Sequence, residues 1–157
     1  MPVRVSGFTL VELVVIMILV GILAFVALPR LDSGQLFREL GFRDQVAAAL
    51  RHAQKTAVSH RRLVCAMVAP DNIALTIAAA HPASACGSAL AGPDGRQPAA
   101  TSPSAAIALA AAPAGPLYFQ PSGAVTSDGA GATPTNFTLT VTNQAPITVL
   151  GATGHVE

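Results

Sequence analysis

Tryptophan is absent and aromatics make up 4% of the 157 residues, so any globular part has to build its core from Ala, Val, Leu and Ile. Catalytic signatures are missing too. No Gly-rich phosphate loop, nucleophile elbow or HExxH occurs. The four histidines, His52, His60, His81 and His155, stand at no metal-ligand spacing with one another or with the cysteines. Ser122, inside Pro121-Ser122-Gly123, reads as a turn residue rather than a nucleophile. No enzymatic activity, cofactor or metal is therefore expected. Basic charge is scarce in the distal part: residues 63–157 hold Arg96 against Asp71, Asp94, Asp128 and Glu157, whereas residues 1–62 hold eight of the nine Lys/Arg against four acids. A mildly acidic distal half argues against a strongly nucleic-acid-binding head.

What the chain has is a long apolar run near its start. The twenty-one residues from Phe8 to Leu28 carry one ionisable side chain, Glu12. At about 1.5 Å per residue, that length just crosses the ~30 Å hydrocarbon core of a bilayer. A carboxylate at the centre of such a span costs ~2.5–3.5 kcal/mol, and less nearer its end, so Glu12 calls for a partner. A cleavable secretory signal would have a shorter apolar core followed by small residues, which Leu28-Pro29-Arg30 does not supply. An ordinary membrane anchor leaves Glu12 unexplained.

The segment Gly7-Phe8-Thr9-Leu10-Val11-Glu12, followed by Gly21 and by Ala27-Leu28-Pro29-Arg30, resembles the processing site and N-terminal helix of type IV prepilins and type II secretion pseudopilins. The resemblance implies cleavage between Gly7 and Phe8 by a prepilin peptidase, then N-methylation of the Phe8 amine. Glu12 would pair with the charged N-terminus of a neighbouring subunit. Physical chemistry supports that role independently, because an ammonium or a carboxylate left alone in an apolar filament core costs several kcal/mol. The implied partners are the peptidase, other pilin or pseudopilin subunits, the inner-membrane assembly platform, and membrane lipid before assembly.

A second helical pattern runs from Asp32 to about His60. Phe42, Val46, Leu50, Ala53 and Ala57 recur at three- and four-residue spacing and form one apolar stripe, with Arg43, Asp44, Arg51, His52 and Lys55 around the rest of the cylinder. Either Asp32-Ser33 caps a fresh helix, or Pro29 kinks one helix running ~80 Å from Phe8 to His60. Gly21, Pro29 and Gly41 are the points where such a helix would bend. The period then changes. Leu63–Val68 and Ile73–Ala78 read as a hairpin about Pro70-Asp71-Asn72, and residues 81–116, rich in Ala, Pro, Ser and Gly, as a long loop with Ile107–Leu109 as a possible strand. Leu117–Phe119, Ala124–Thr126, Phe137–Thr142 and Ile147–Leu150 complete the strands, and Phe137–Thr142 alternates strictly between apolar residues and threonine.

The expected fold class is α+β, the type IV pilin fold: a long N-terminal helix, its first half transmembrane, packed on a small antiparallel sheet. The expected division is a cleaved leader (1–7), a transmembrane or filament-core helix (8–29), an amphipathic helix (30–62) and a periplasmic β-rich head (63–157). Tyr118–Gly123 and Ile147–Gly154 resemble segments of the H-type minor pseudopilins and related minor pilins. Gly41–Gln45 and Ala48–Lys55 look closest to minor pilins of the mannose-sensitive haemagglutinin type. In an oxidising periplasm Cys65 and Cys86 would pair, closing a loop of twenty intervening residues for about 3 kcal/mol; the alternative is two free thiols, with Cys65 simply buried in a strand. The reading is thus of a minor structural subunit that initiates or caps a filament. The alternative is a DNA-binding minor pilin using Arg61 and Arg62 at the helix-to-strand junction.

Overall fold

A computed structural model describes residues 9–27 and 33–157. The chain divides into two compact units, one ending at Phe37 and one running from Arg38 to Glu157.

In the first unit, helix α1 spans Leu10–Ala27. Thr9 starts it as an N-cap: the Glu12 backbone N–H donates to Thr9 Oγ1 at 3.3 Å, and the Leu13 N–H donates to the Thr9 carbonyl at 3.2 Å. Gly21 is helical within it. At 18 residues α1 is about 27 Å long, and among the described residues no helix is long and apolar enough to cross a membrane.

Helix α2 spans Ser33–His60 and continues through Gly41 without interruption, so no break occurs there. From Arg38 onward it belongs to the second unit. The expected stripe is its buried face: Phe42, Val46, Leu50, Ala53 and Ala57 are all buried, whereas Asp44, Arg51 and Lys55 are exposed and Arg43 and His52 half-buried. Burial of a Phe, Leu or Val side chain contributes roughly 1.5–3 kcal/mol, so packing rather than propensity holds α2 in place.

Nine strands follow: β1 (Val64–Val68), β2 (Asn72–Ile77), β3 (Ser88–Leu90), β4 (Ala100–Thr101), β5 (Leu109–Ala112), β6 (Leu117–Phe119), β7 (Val125–Thr126), β8 (Phe137–Val141) and β9 (Ile147–Val149). They form two antiparallel sheets where the sequence suggested one. The larger has the order β3-β2-β1-β6-β7, with β4 also on β2; the smaller is β5-β8-β9. Both contribute to a single core with the α2 stripe: Val64, Ala66, Ile73, Leu117 and Phe119 from the first, and Leu109, Phe137, Leu139, Val141, Ile147 and Val149 from the second. In β8 the alternation decides the faces, with Phe137, Leu139 and Val141 buried and Thr140 exposed.

Residues 81–116 are more regular than the sequence suggested. They contain β3, β4 and β5. β3 and β4 share one edge of β2, with Thr76 opposite Ala89 and Ile73 opposite Ala100. Neither carries a β-branched run; backbone pairing to a strand already in place makes them strands. The short strand expected at Ile107–Leu109 lies slightly later, as β5 against β8, while Ile107 ahead of it is buried in the core.

Candidate functional site

Of the residues expected to carry assembly, Gly7 and Phe8 lie outside the described residues, as does the expected bend at Pro29. Glu12 lies in the first turn of α1 and is exposed. Thr9 and Glu12 have the spacing of a capping box, which puts the carboxylate at the positive end of the helix dipole. Around it, α1 exposes apolar side chains, from Leu10 at 80% to Phe25 at 81% exposure. A helix that is apolar all round in water is a helix without its partner surface. Gly21 has no heavy atom within 4 Å of the position a Cβ would take.

In the second unit, polar side chains along α2 fasten it to the C-terminal third of the chain. Glu39 is buried, with Asn143 Nδ2 donating to its Oε1 at 3.2 Å and Gln144 Nε2 donating to its Oε2 at 3.3 Å. One turn on, Arg43 Nε donates to the Ala145 carbonyl at 2.9 Å. Arg51 donates to the Val156 carbonyl from Nε at 3.4 Å and from its NH2 group at 3.2 Å. Gln54 Nε2 donates to the Thr153 carbonyl at 2.6 Å. Sequence reasoning missed Glu39. A lone acid four residues before Arg43 reads as half of a surface ion pair, and nothing local indicates that a turn about a hundred residues away buries it.

Two distal segments that carry the family resemblance, Tyr118–Gly123 and Ile147–Gly154, meet in space. Val125 N–H donates to the Gly151 carbonyl at 2.7 Å, and Gly123 and Gly154 approach so closely that a Cβ on Gly154 would fall on the Gly123 carbonyl oxygen. Gln54 closes the group from the helix side. On the opposite face of the larger sheet, Leu63, Cys65 and Ala78 form a small second cluster with Cys86 and Tyr118 packed against it. Cys65 and Cys86 are joined as a disulfide, which clamps the segment after β2 onto that face.

Arg61 and Arg62 are adjacent and exposed in the turn between α2 and β1. Arg61 has φ 51°, the left-handed position of a helix C-cap. Its N–H donates to the Val58 carbonyl at 3.3 Å and the Arg62 N–H to the Ala57 carbonyl at 3.1 Å, the paired bonds of a Schellman motif. Among the described residues no group of three or more His, Cys, Asp or Glu is arranged to hold a metal ion.

Among solved structures, the fold is similar to two crystal forms of the type IV minor pilin FimU of Pseudomonas aeruginosa strain PAO1. The first is 16% identical, covering 80% of this chain and 90% of that one with a TM-score of 0.51. The second is 17% identical, covering 75% and 90% with a TM-score of 0.50. At these identities the likeness is one of fold. No curated protein matches the chain significantly. The family model of the type II transport protein GspH matches residues 43–154, from the third turn of α2 through both sheets to Gly154. The match takes in most of the chain, and the protein belongs to the GspH family.

Proposed function

We propose that this chain is a minor pilin or pseudopilin that is cleaved between Gly7 and Phe8 by a prepilin peptidase and N-methylated at Phe8. It is then assembled, by an inner-membrane platform, into a type IV pilus or type II secretion pseudopilus, where it acts at initiation or at the tip. Before assembly the apolar run Phe8–Leu28 holds it in the inner membrane with the head in the periplasm. The role is structural; the family and the fold are those of pilin-type subunits, not enzymes.

The observation that carries this reading is Glu12 in the first turn of a helix whose other exposed side chains are apolar. In a filament core each α1 would bury that surface against its neighbours, and the only charges left near its start would be the Glu12 carboxylate and the Phe8 ammonium. An unpaired buried charge costs several kcal/mol, so subunit register is set by the position at which the two meet. The 21 residues from Phe8 to Leu28 would span about 32 Å as helix, enough for the ~30 Å hydrocarbon core.

Mass spectrometry of the mature chain tests the reading. A start at methylated Phe8 is expected, and Gly7→Val should leave the leader attached. Glu12→Ala should be cleaved normally yet fail to enter filaments. A mature chain starting at Met1 or after Arg30 overturns the proposal. The DNA-binding alternative rests on the two exposed guanidiniums of Arg61 and Arg62. Failure of the protein to retard DNA at low salt, where phosphate contacts are strongest, removes it.

A further inference from the structure

Beyond α1, the described residues leave five large apolar side chains exposed: Leu36, Phe37, Leu40, Val58 and Met67. Val58 and Met67 stand singly, as surface residues often do. The other three share one face at the start of α2, with Leu40 four residues after Leu36 and three after Phe37. They are 51%, 70% and 40% exposed in chain order. Leu40 stands about 200° around the helix from the buried Phe42, so this face is not the one that packs on the sheets. The stripe has a sharp end: one turn beyond Leu40 the same face carries Asp44, with 76% of its side chain accessible. Arg38, also exposed, stands beside Phe37 in the chain.

We infer that before assembly this stripe lies in the interface of the membrane that holds the chain, with Leu36, Phe37 and Leu40 set among the lipid headgroups. The occupant is lipid for three reasons. The apolar run Phe8–Leu28 ends eight residues before Leu36, and eight residues reach at most ~28 Å, so lipid is the surface at hand. The flanking charges fit, since Arg30 and Arg38 can lay their stems along the apolar boundary and put their guanidiniums on lipid phosphate. Asp44, which anionic headgroups would repel, comes only where the apolar face has ended. Interfacial helices lie along the membrane with their apolar side sunk ~5–10 Å into the headgroup boundary. The first turns of α2, so placed, stay at the surface until a subunit is drawn into the filament. The inference rests on the membrane anchoring in the proposed function and adds a second, shallower contact to it.

The chain has no tryptophan, so a single one introduced by substitution reports its own depth. The full chain, produced with a prepilin peptidase, is reconstituted at low protein-to-lipid ratio into vesicles of phosphatidylcholine and phosphatidylglycerol. Bromine atoms, which quench indole fluorescence on contact, are carried on the acyl chains either near the headgroup or near the terminal methyl. Three substitutions at exposed positions are compared: Ile18→Trp in α1, Phe37→Trp in the stripe, and Lys55→Trp, on the same face of α2 five whole turns further on. Ile18→Trp should be quenched most by the deep bromines and Lys55→Trp by neither set. Phe37→Trp should be quenched several-fold more strongly by the shallow bromines than by the deep ones. A Phe37→Trp that tracks either of the other two overturns the inference. So does one whose emission is blue-shifted yet untouched by bromine at both depths, because protein then covers it. In each of these cases quenching of Ile18→Trp leaves the anchoring intact. An Ile18→Trp that no bromine quenches overturns both.

Discussion

Asn143 Nδ2 donates to Glu39 Oε1 across 3.2 Å, joining residues 104 apart in the chain. Asn143 reaches the carboxylate because its backbone sits at φ 57° in the turn after β8, and Gln144 beside it takes the other oxygen. Glu39→Ala would leave two side-chain amides facing a space with no acceptor. Hydrogen bonds to charged groups contribute about 1.5–3 kcal/mol each and are not additive, so a loss of about 2–3 kcal/mol is expected. Glu39→Gln keeps one acceptor oxygen and turns an NH2 toward the second amide, so it should lose about half as much. Urea unfolding followed by circular dichroism measures both. Equal midpoints for Glu39→Ala and the unsubstituted protein would show that the clamp contributes nothing.

Gly154 is needed for two separable reasons. Its φ of +65° lies in the left-handed region, and a Cβ would fall on the Gly123 carbonyl oxygen and within 3.1 Å of Gln54 Nε2. Gly95, at φ +78°, has the same backbone conformation with open space around it. Gly95→Ala should therefore cost only the conformational penalty, about 1 kcal/mol. Gly154→Ala should cost about 2 kcal/mol or more, because the Gly123 backbone and the Gln54 side chain must also move away. The comparison is read as the difference between two denaturation midpoints; if the two substitutions cost the same, the close approach is not part of what the glycine provides.

The fold was legible wherever burial imposes a period. Phe42, Val46, Leu50, Ala53 and Ala57 announce the buried face of α2, and Phe137, Leu139 and Val141 announce β8, because one-sided burial is what each pattern encodes. β3, β4 and β5 were hidden in an Ala- and Pro-rich stretch, since their regularity comes from edges supplied by β2 and β8 rather than from their own side chains. The second sheet was hidden for the same reason: without β5, the β8 and β9 hairpin reads as part of the first. Gly7, Phe8 and Glu12 were read from a motif whose chemistry is local to a few residues. Glu39 was not, because its partners are brought to it only by the finished fold.

The disulfide between Cys65 and Cys86 closes a loop over 21 positions of the chain. In the loop-entropy model such a closure contributes about 3 kcal/mol by restricting the unfolded chain. Cys65 is buried in a strand while Cys86 sits at the rim of the small outer cluster. Cys86→Ser should therefore lose about 3 kcal/mol, and Cys65→Ser somewhat more, since it also buries a hydroxyl. Reduction of the unsubstituted protein should move its midpoint to near that of Cys86→Ser. Should reduction leave the midpoint unmoved, the bridge is not what stabilises the segment after β2.

Arg61 is the one position where a substitution is expected to stabilise the protein. Its φ of 51° closes the Schellman motif at the end of α2, where glycine avoids the roughly 1 kcal/mol that a Cβ costs in the left-handed conformation. Against that gain, glycine increases the freedom of the unfolded chain, which returns part of it. Arg61→Gly should raise stability by a few tenths of a kcal/mol up to about 1 kcal/mol, whereas Arg61→Val, branched at Cβ, should lower it by about 1 kcal/mol or more. Arg62 carries the second hydrogen bond of the motif through its backbone N–H to Ala57, so Arg62→Ala should leave the midpoint nearly unchanged. The three midpoints together separate backbone from side chain. A protein in which Arg61→Gly is destabilising would show that the guanidinium, not the turn, is what the head requires at this position.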